Sequence, residues 1–152
     1  MANTQAMATS FKGELLNAYH NFSATNPART VNTADSFKAA LYLASATINA
    51  STTAYTATGE VSGAGYSAGG VAITAWNAPT TSGTTGFTTP TASITYTSVT
   101  LTTAFDAVLI YNSTQSNRAV SVHTFGSQTV TAGTFTLTMP TNNSTSALIR
   151  LA

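Results

Sequence analysis

The sequence predicts a mainly β domain, a β-sandwich or jelly-roll-like fold with a short N-terminal helix and an N-terminal arm. Three observations predict it. From Phe37 onward the chain is dense in threonine, valine, isoleucine and tyrosine, residues that fit a pleated, half-buried surface. Short apolar runs in that region recur between turn signals, the spacing of a sandwich or barrel. Helical spacing of apolar residues occurs in one place, near the N-terminus.

Taken in order, Met1–Thr9 is small and polar with no hydrophobic period, and reads as an arm. Residues 10–152 read as a single β-rich domain, opening with a helix over 10–22. Phe11, Leu15, Ala18, Tyr19 and Phe22 form its apolar stripe, with Ser10 placed to cap the N-terminus and Glu14 in the electropositive first turns. Gly13 weakens that helix by about 1 kcal/mol relative to alanine. A polar loop with Pro27 follows, and the period then changes. In FKAALYLA (37–44), Phe37, Ala39, Leu41 and Leu43 alternate with Lys38, Ala40 and Tyr42, a strand pattern. Further strands are expected at 71–77, 92–101, 107–112, 118–125, 134–139 and 147–151. Turn signals separate them: Asn77 to Pro79, Ser82-Gly83, the polar run 112–117, Gly126, Ala132-Gly133 and 140–143. Residues 80–91, TTSGTTGFTTPT, border on low complexity and read as an exposed loop or loosely held edge. No internal repeat is visible.

Composition narrows the function classes. Charged residues make up 6% of the 152-residue chain, against roughly 25% in ordinary soluble domains. Net charge is +1, so hydroxyls and amides supply the exposed polarity. Those groups hydrogen-bond without repelling a neighbouring copy, which points to a chain that sits against other protein surfaces. Five scattered cations make no phosphate-binding face, so no nucleic-acid partner is expected. With no cysteine, thiolate chemistry and disulfides are excluded. The start MANTQAMATSFKGELL shows no secretory signal, and no stretch has the roughly 20 apolar residues of a membrane span. Synthesis in a cytoplasm and no membrane partner are expected.

The most conspicuous motif is EVSGAGYSAGG (60–70). Gly63, Gly65 and Gly69 approximate G-x-G-x-x-G, but with one residue too many, no lysine nearby, and a strand rather than a helix following. Backbone geometry, with Val61 and Tyr66 as anchors, is the better account. His20 lies beside the apolar stripe and His123 in a β pattern, and both read as structural because no ligand cluster accompanies them. A triad of His123, Asp106 and a serine has no nucleophile-elbow motif behind it. Asp106 and Arg118 flank a hairpin and are expected to pair as a structural ion pair. The sequons at Asn21, Asn49, Asn112, Asn142 and Asn143 are chance matches in a chain this rich in Asn, Ser and Thr. No catalytic, cofactor-binding or metal-binding residues are assigned, and no cofactor.

Taken together, SFKGELLNAYHNF, the FKAALY strand, EVSGAGYSAGG and AVLIYNSTQSNRAVSVHTFG resemble a family of small virion proteins from tailed bacteriophages. The pattern is FK-x-E-LL, FK-x-ALY, EVSG-x-GY-x-AGG and LIYN…NRAV, covering most of the chain after Ser10. The chain departs from it in the polar insert 28–34 and in ASITYTSVTLTTAFD, which lacks an aspartate- and tryptophan-containing segment before LIYN. The resemblance implies a non-enzymatic structural protein at the particle surface, a capsid decoration or cement protein whose partners are the major capsid protein or other virion proteins. It also implies a homo-oligomer, a trimer by expectation. The alternative is a tail-associated receptor- or glycan-binding module. In that reading Tyr55, Tyr66, Trp76 and Tyr96 offer stacking faces, against ordinary sheet packing for each.

Overall fold

The computed structural model describes residues 3–16, 19–22 and 33–152. The protein is mainly β, with two antiparallel sheets and one short N-terminal helix, consistent with a β-sandwich. In chain order the elements are β1 (Ala6–Met7), α1 (Thr9–Leu16), β2 (Phe37–Leu43), β3 (Val71–Ile73), β4 (Thr80–Ser82), β5 (Thr85–Thr88), β6 (Ile94–Asn112), β7 (Arg118–Leu137) and β8 (Ile149–Leu151). The larger sheet runs β1-β7-β6-β2-β3 and the smaller β4-β5-β8.

One long hairpin frames the molecule. The four strands expected between 92 and 139 merge into two, β6 and β7, joined at a tight connection in which Ser116 and Asn117 take positive φ. The side-chain oxygen of Asn112 accepts from the Thr114 and Gln115 amides and so closes that connection. Gly126 and Ala132-Gly133, expected as turns, are places where the strand bends without stopping. Register mismatches fall at 97–98 and 102–104 in β6 and at 125–127 and 131–132 in β7. Bulges of this kind kink a strand and sharpen its twist while preserving pairing on either side. Threonine makes this possible, because its branched side chain favours extended backbone where a less β-prone residue would let the chain turn. The bend carries the far half of the hairpin back over β2, where the Tyr96 hydroxyl donates to the Ala39 carbonyl at 2.9 Å. Phe105 sits at the corner, fully buried, with ring centroids 6.0 Å from Phe125 and 5.0 Å from Phe135.

β2 is central and covered on both faces, so its predicted alternation has no solvent side. Phe37, Ala39 and Leu41 are buried, and so are Ala40 and Tyr42 of the opposite row. Phe22 stacks on Phe37 at 4.5 Å and Trp76 packs edge-on to both rings. The other face lies under the long connection between β2 and β3, where Tyr55 stacks on Tyr111 at 4.9 Å.

At the N-terminus the helix bounds and its cap need correction, while the arm and the polar run acquire partners. The helix starts at Thr9 and ends at Leu16, so Ser10 lies inside its first turn and is not the cap; its hydroxyl is buried. His20, Asn21 and Phe22 lie outside the helix because Asn21 is tied to the start of β2: its amide donates to Asp35 Oδ2 and its carbonyl accepts from the Asp35 amide. Ala18 and the loop with Pro27 lie outside the described residues. The arm is ordered on its own domain over residues 3–9. There β1 pairs with β7, Thr4 donates to Ile48, and the Asn3 amide bridges Leu43 O and Asp106. Within 80–91, β4 and β5 form a hairpin around Gly83 (φ 59°), and β5 pairs with β8. The C-terminal run is therefore a sheet strand, as its apolar pattern requires.

Replacing Phe105 with alanine removes the corner of the bent hairpin. Phe105→Ala should cost about 3–5 kcal/mol of stability, read as a lower denaturant midpoint at unchanged slope.

Candidate functional site

The glycine-rich segment is built from contacts between backbones. Residues 59–61 extend the outer edge of β2 beyond β3: Leu43 N donates to Gly59 O at 2.9 Å and Val61 N to Leu41 O at 3.0 Å. The chain then crosses to β6, where Thr100 N donates to Ala64 O at 2.8 Å. A Cβ on Gly65 would lie 2.1 Å from Ser98 O, and one on Gly70 would lie 1.7 Å from Ala39 O. Both residues also take positive φ, +77° and +71°, where side chains are strained in any case. The amides that a phosphate would need are already used. Gly69 N donates to Glu60, Gly70 N to Ser67 O and Tyr66 N to Gly63 O. β3 follows in place of a helix, so the geometry rejects an anion cradle.

Glu60 organises this segment. Its Oε2 accepts from Tyr55 OH at 2.6 Å, and its Oε1 accepts from Tyr66 OH and from Gly69 N, both at 2.8 Å. The Tyr66 oxygen in turn accepts from Leu41 N at 3.0 Å, which ties the cluster to β2. Around it, Tyr111 donates to Gly69 O, Tyr42 to Thr56 O and Tyr96 to Ala39 O, while Tyr66 stacks on Tyr96 at 6.0 Å. Every tyrosine except Tyr19 belongs to this group. Burial, then the hydrogen bond to Glu60 and its negative charge, push the Tyr55 phenol up to about 12. Burial raises Tyr42, Tyr66, Tyr96 and Tyr111 as well, with the charge of Glu60 adding to each. Neutral phenols donating to one carboxylate are a strong, charge-assisted arrangement. Both carboxylate oxygens are engaged by the protein's own donors, one on Oε2 and two on Oε1. Sequence reasoning missed it; the available signal was a lone acid, with no base near, between Tyr55 and Tyr66.

The other singled-out residues are dispersed. His20 is buried, its Nδ1 3.1 Å from Asn112 Nδ2 and its ring edge-on to Phe11 at 4.7 Å. His123 Nε2 lies 2.9 Å from the hydroxyl of Ser121, itself buried and shut off from any substrate. Asp106 accepts from Asn3, and no hydrogen bond joins it to His123, so the triad is not assembled. Nor does Asp106 pair with Arg118, because the hairpin register sets Arg118 opposite Asn112, at the connecting end, while Asp106 lies several residues away near Gln128 and Thr124. Arg118 instead places its guanidinium 4.5 Å over the Tyr19 ring. Of the proposed stacking platforms, Tyr96 is buried, Tyr55 and Tyr66 are stacked and bonded within the cluster, and Trp76 is wedged against Phe22 and Phe37. Asn21 and Asn112 are buried, which closes those two sequons.

Two features face outward. A groove of about 610 Å3 runs between α1, His20–Phe22 and the small sheet, lined by Phe11, Leu15, Phe22, Phe87, Ile149 and Leu151 among others. No described residue lining it is charged. Beyond it, the far half of the hairpin shows solvent an uncharged hydroxyl face that includes Thr95, Thr97, Thr129, Thr131, Thr134 and Thr136. No Asp, Glu, Lys or Arg occurs from Ala119 through Ile149. Among the described residues no cluster of His, Asp and Glu is set to hold a metal, and no helix is long and apolar enough to cross a membrane. No protein-family model matches the chain, and neither does any curated protein or solved structure.

Two outcomes test these assignments. Glu60→Gln gives up the charge and one acceptor while turning an amide N–H2 toward a phenol; a loss of about 2–4 kcal/mol is expected in denaturant melts. Burial holds the His123 imidazole neutral, its pKa lowered to about 4. The unfolded chain therefore takes up that proton first as pH falls. The stabilisation is complete above roughly pH 6.5 and declines toward pH 4. His123→Leu should remove that part of the pH slope, and melts across the range compare the two proteins.

Proposed function

We propose that this chain is a non-enzymatic structural protein of a tailed-bacteriophage virion, a capsid decoration or cement protein on the outside of the head. The observation that carries the reading is the construction of EVSGAGYSAGG, the segment on which the family resemblance most depends. Its glycines serve backbone contact and its glutamate serves internal phenols, so the segment is a scaffold feature, as a structural role requires. Low charge supports the same reading. A surface of hydroxyls and half-buried apolar groups can be covered by another protein without stranding ions in the contact.

In this role the domain binds the major capsid protein or other virion proteins as a homo-oligomer, a trimer in the simplest arrangement. Many modest contacts, each apolar or hydroxyl-mediated, would add up across the shell and resist expansion of the packed head. The chain is made in the host cytoplasm and ends at the particle surface. The tail-associated glycan-binding alternative is weaker, because Tyr55, Tyr66, Trp76 and Tyr96 spend their ring faces on packing.

Electron cryomicroscopy of purified particles is the direct test. Density for this chain in many copies outside the head shell is expected, and finding it only in the tail would overturn the decoration role.

A further inference from the structure

We propose that the outer edge of β7 over Gly133–Leu137 pairs with the same segment of a second copy, forming an antiparallel sheet continuous across a two-fold axis. The contact is additional to any three-fold one in the reading above, joining two copies or two trimers, and it stands whether or not the protein decorates a head.

The edge is open. Along its inner side β7 pairs with β6 from Arg118 to Leu137. Among the described residues its outer side is covered only near the start, where Arg118 and Ala119 meet residues 53–54, Val120 accepts from Ala8, and β1 pairs at Ser121 and Val122. The arm then turns away, as Thr4 bonds to Ile48 and Asn3 to Leu43. Among the described residues no other strand pairs with β7 beyond Val122. Such an edge leaves alternate N–H and C=O groups directed outward, a template for another strand.

The edge is also unguarded. Proteins blunt exposed edges with charge, proline or bulges. From Ala119 to Met139 there is no charged residue and no proline. The irregularities at 125–127 and 131–132 break up the earlier part of the strand, but 135–137 stay in unbroken register against 94–96. Across Gly133–Leu137 β7 itself carries no extra residue, the bulge opposite Thr134 being on β6, which leaves an extended template of roughly 17 Å at about 3.4 Å per residue. The competing edges are poorer: β3 and β4 have three residues each, and β8 carries Arg150.

The occupant follows from the sequence of the edge itself. A two-fold contact requires a surface complementary to itself, and Thr134-Phe135-Thr136 reads the same in both directions. Centring the axis on Phe135 puts Thr134 of one copy opposite Thr136 of the other, and Phe135 opposite Phe135. A cross-strand threonine pair of this kind already exists within the chain, between Thr95 and Thr136 at 3.5 Å. Phe135 is half-buried at the rim of the Phe105–Phe125 cluster, so pairing extends that apolar layer across the axis. With no charge on either strand, two copies meet without repulsion.

The test is the mass of the full-length protein in solution, by light scattering and sedimentation, against a Thr134→Lys/Thr136→Lys variant. Both lysines project from the exposed face beside the axis, where two copies would bring four like charges together. The variant is expected to run at half the mass of the wild-type protein with the same circular dichroism spectrum, whether that is dimer to monomer or hexamer to trimer. Equal masses would overturn the proposal, as would a wild-type protein that stays monomeric at millimolar concentration. Thr81→Lys on β4 should leave the mass unchanged; if it alone halves the mass, the interface belongs to the small sheet and the proposal fails. Hydrogen exchange on the wild-type protein gives a reading that needs no variant: protection at Gly133–Leu137 should rise with protein concentration, and constant protection would overturn the contact. Halving of the mass together with absence of the chain from heads would leave this contact standing and remove the decoration role.

Discussion

The Glu60 carboxylate is the constraint on which the rest of the structure depends. It receives Tyr55, Tyr66 and Gly69 together, and through the Tyr66 hydroxyl it reaches the backbone of β2. That clamp holds the connection between β2 and β3 flat on the sheet, and the flat connection buries the second face of β2. Without it Ala40, Tyr42 and Tyr111 would lose their cover. The glycines are a condition for the clamp, because only a chain without Cβ atoms can bring its backbone against Ser98 and Ala39. Burial and the neighbouring carboxylate both disfavour a phenolate, so each phenol of the group resists ionisation and stays a donor.

The hairpin supplies the complementary frame. Two long strands that bend at mismatched register can serve both layers of a small domain without extra connections. Phe105, Phe125 and Phe135 fill the bend, and Tyr96 pins the returning half to β2. Very little charge is needed for any of this. The buried polar groups are satisfied mostly by neutral partners, such as Tyr111 on Gly69 and Asn112 on the connection amides, with Asp35 and Glu60 each placed among several donors. The cost of so few ions is a surface with little to keep copies apart, which fits a protein working in an assembly better than one working alone.

Much of this was legible in the residues. The β-rich character from Phe37 onward, the strand at 37–43, the packing of both histidines and the backbone role of the glycine segment all follow from local pattern. The misreadings share a cause, which is that local signals were overruled by partners distant in sequence. The helix stopped early because Asn21 binds Asp35. Gly126 and Ala132-Gly133 looked like turns, yet pairing with β6 carried the strand through them. The polar run 80–91 became a hairpin because β8 offered β5 a partner. Asp106 and Arg118 were assigned to each other on hairpin symmetry, and the true register separates them along the ladder.

By itself the sequence determined the class of the fold, the near-absence of charge, and the apolar runs that carry Phe37, Leu41 and Ile110 into the interior, since composition and the spacing of apolar residues are properties of the chain alone. Only the tertiary structure decided that Glu60 gathers the tyrosines, that the long strands bend instead of ending, and that the outer edge of one stretch of β7 meets no further strand among the described residues. Each of these depends on which backbone groups meet across dozens of residues. Buried backbone N–H and C=O groups nearly always find partners, so it is the whole set of long-range partners, and no local window, that assigns them.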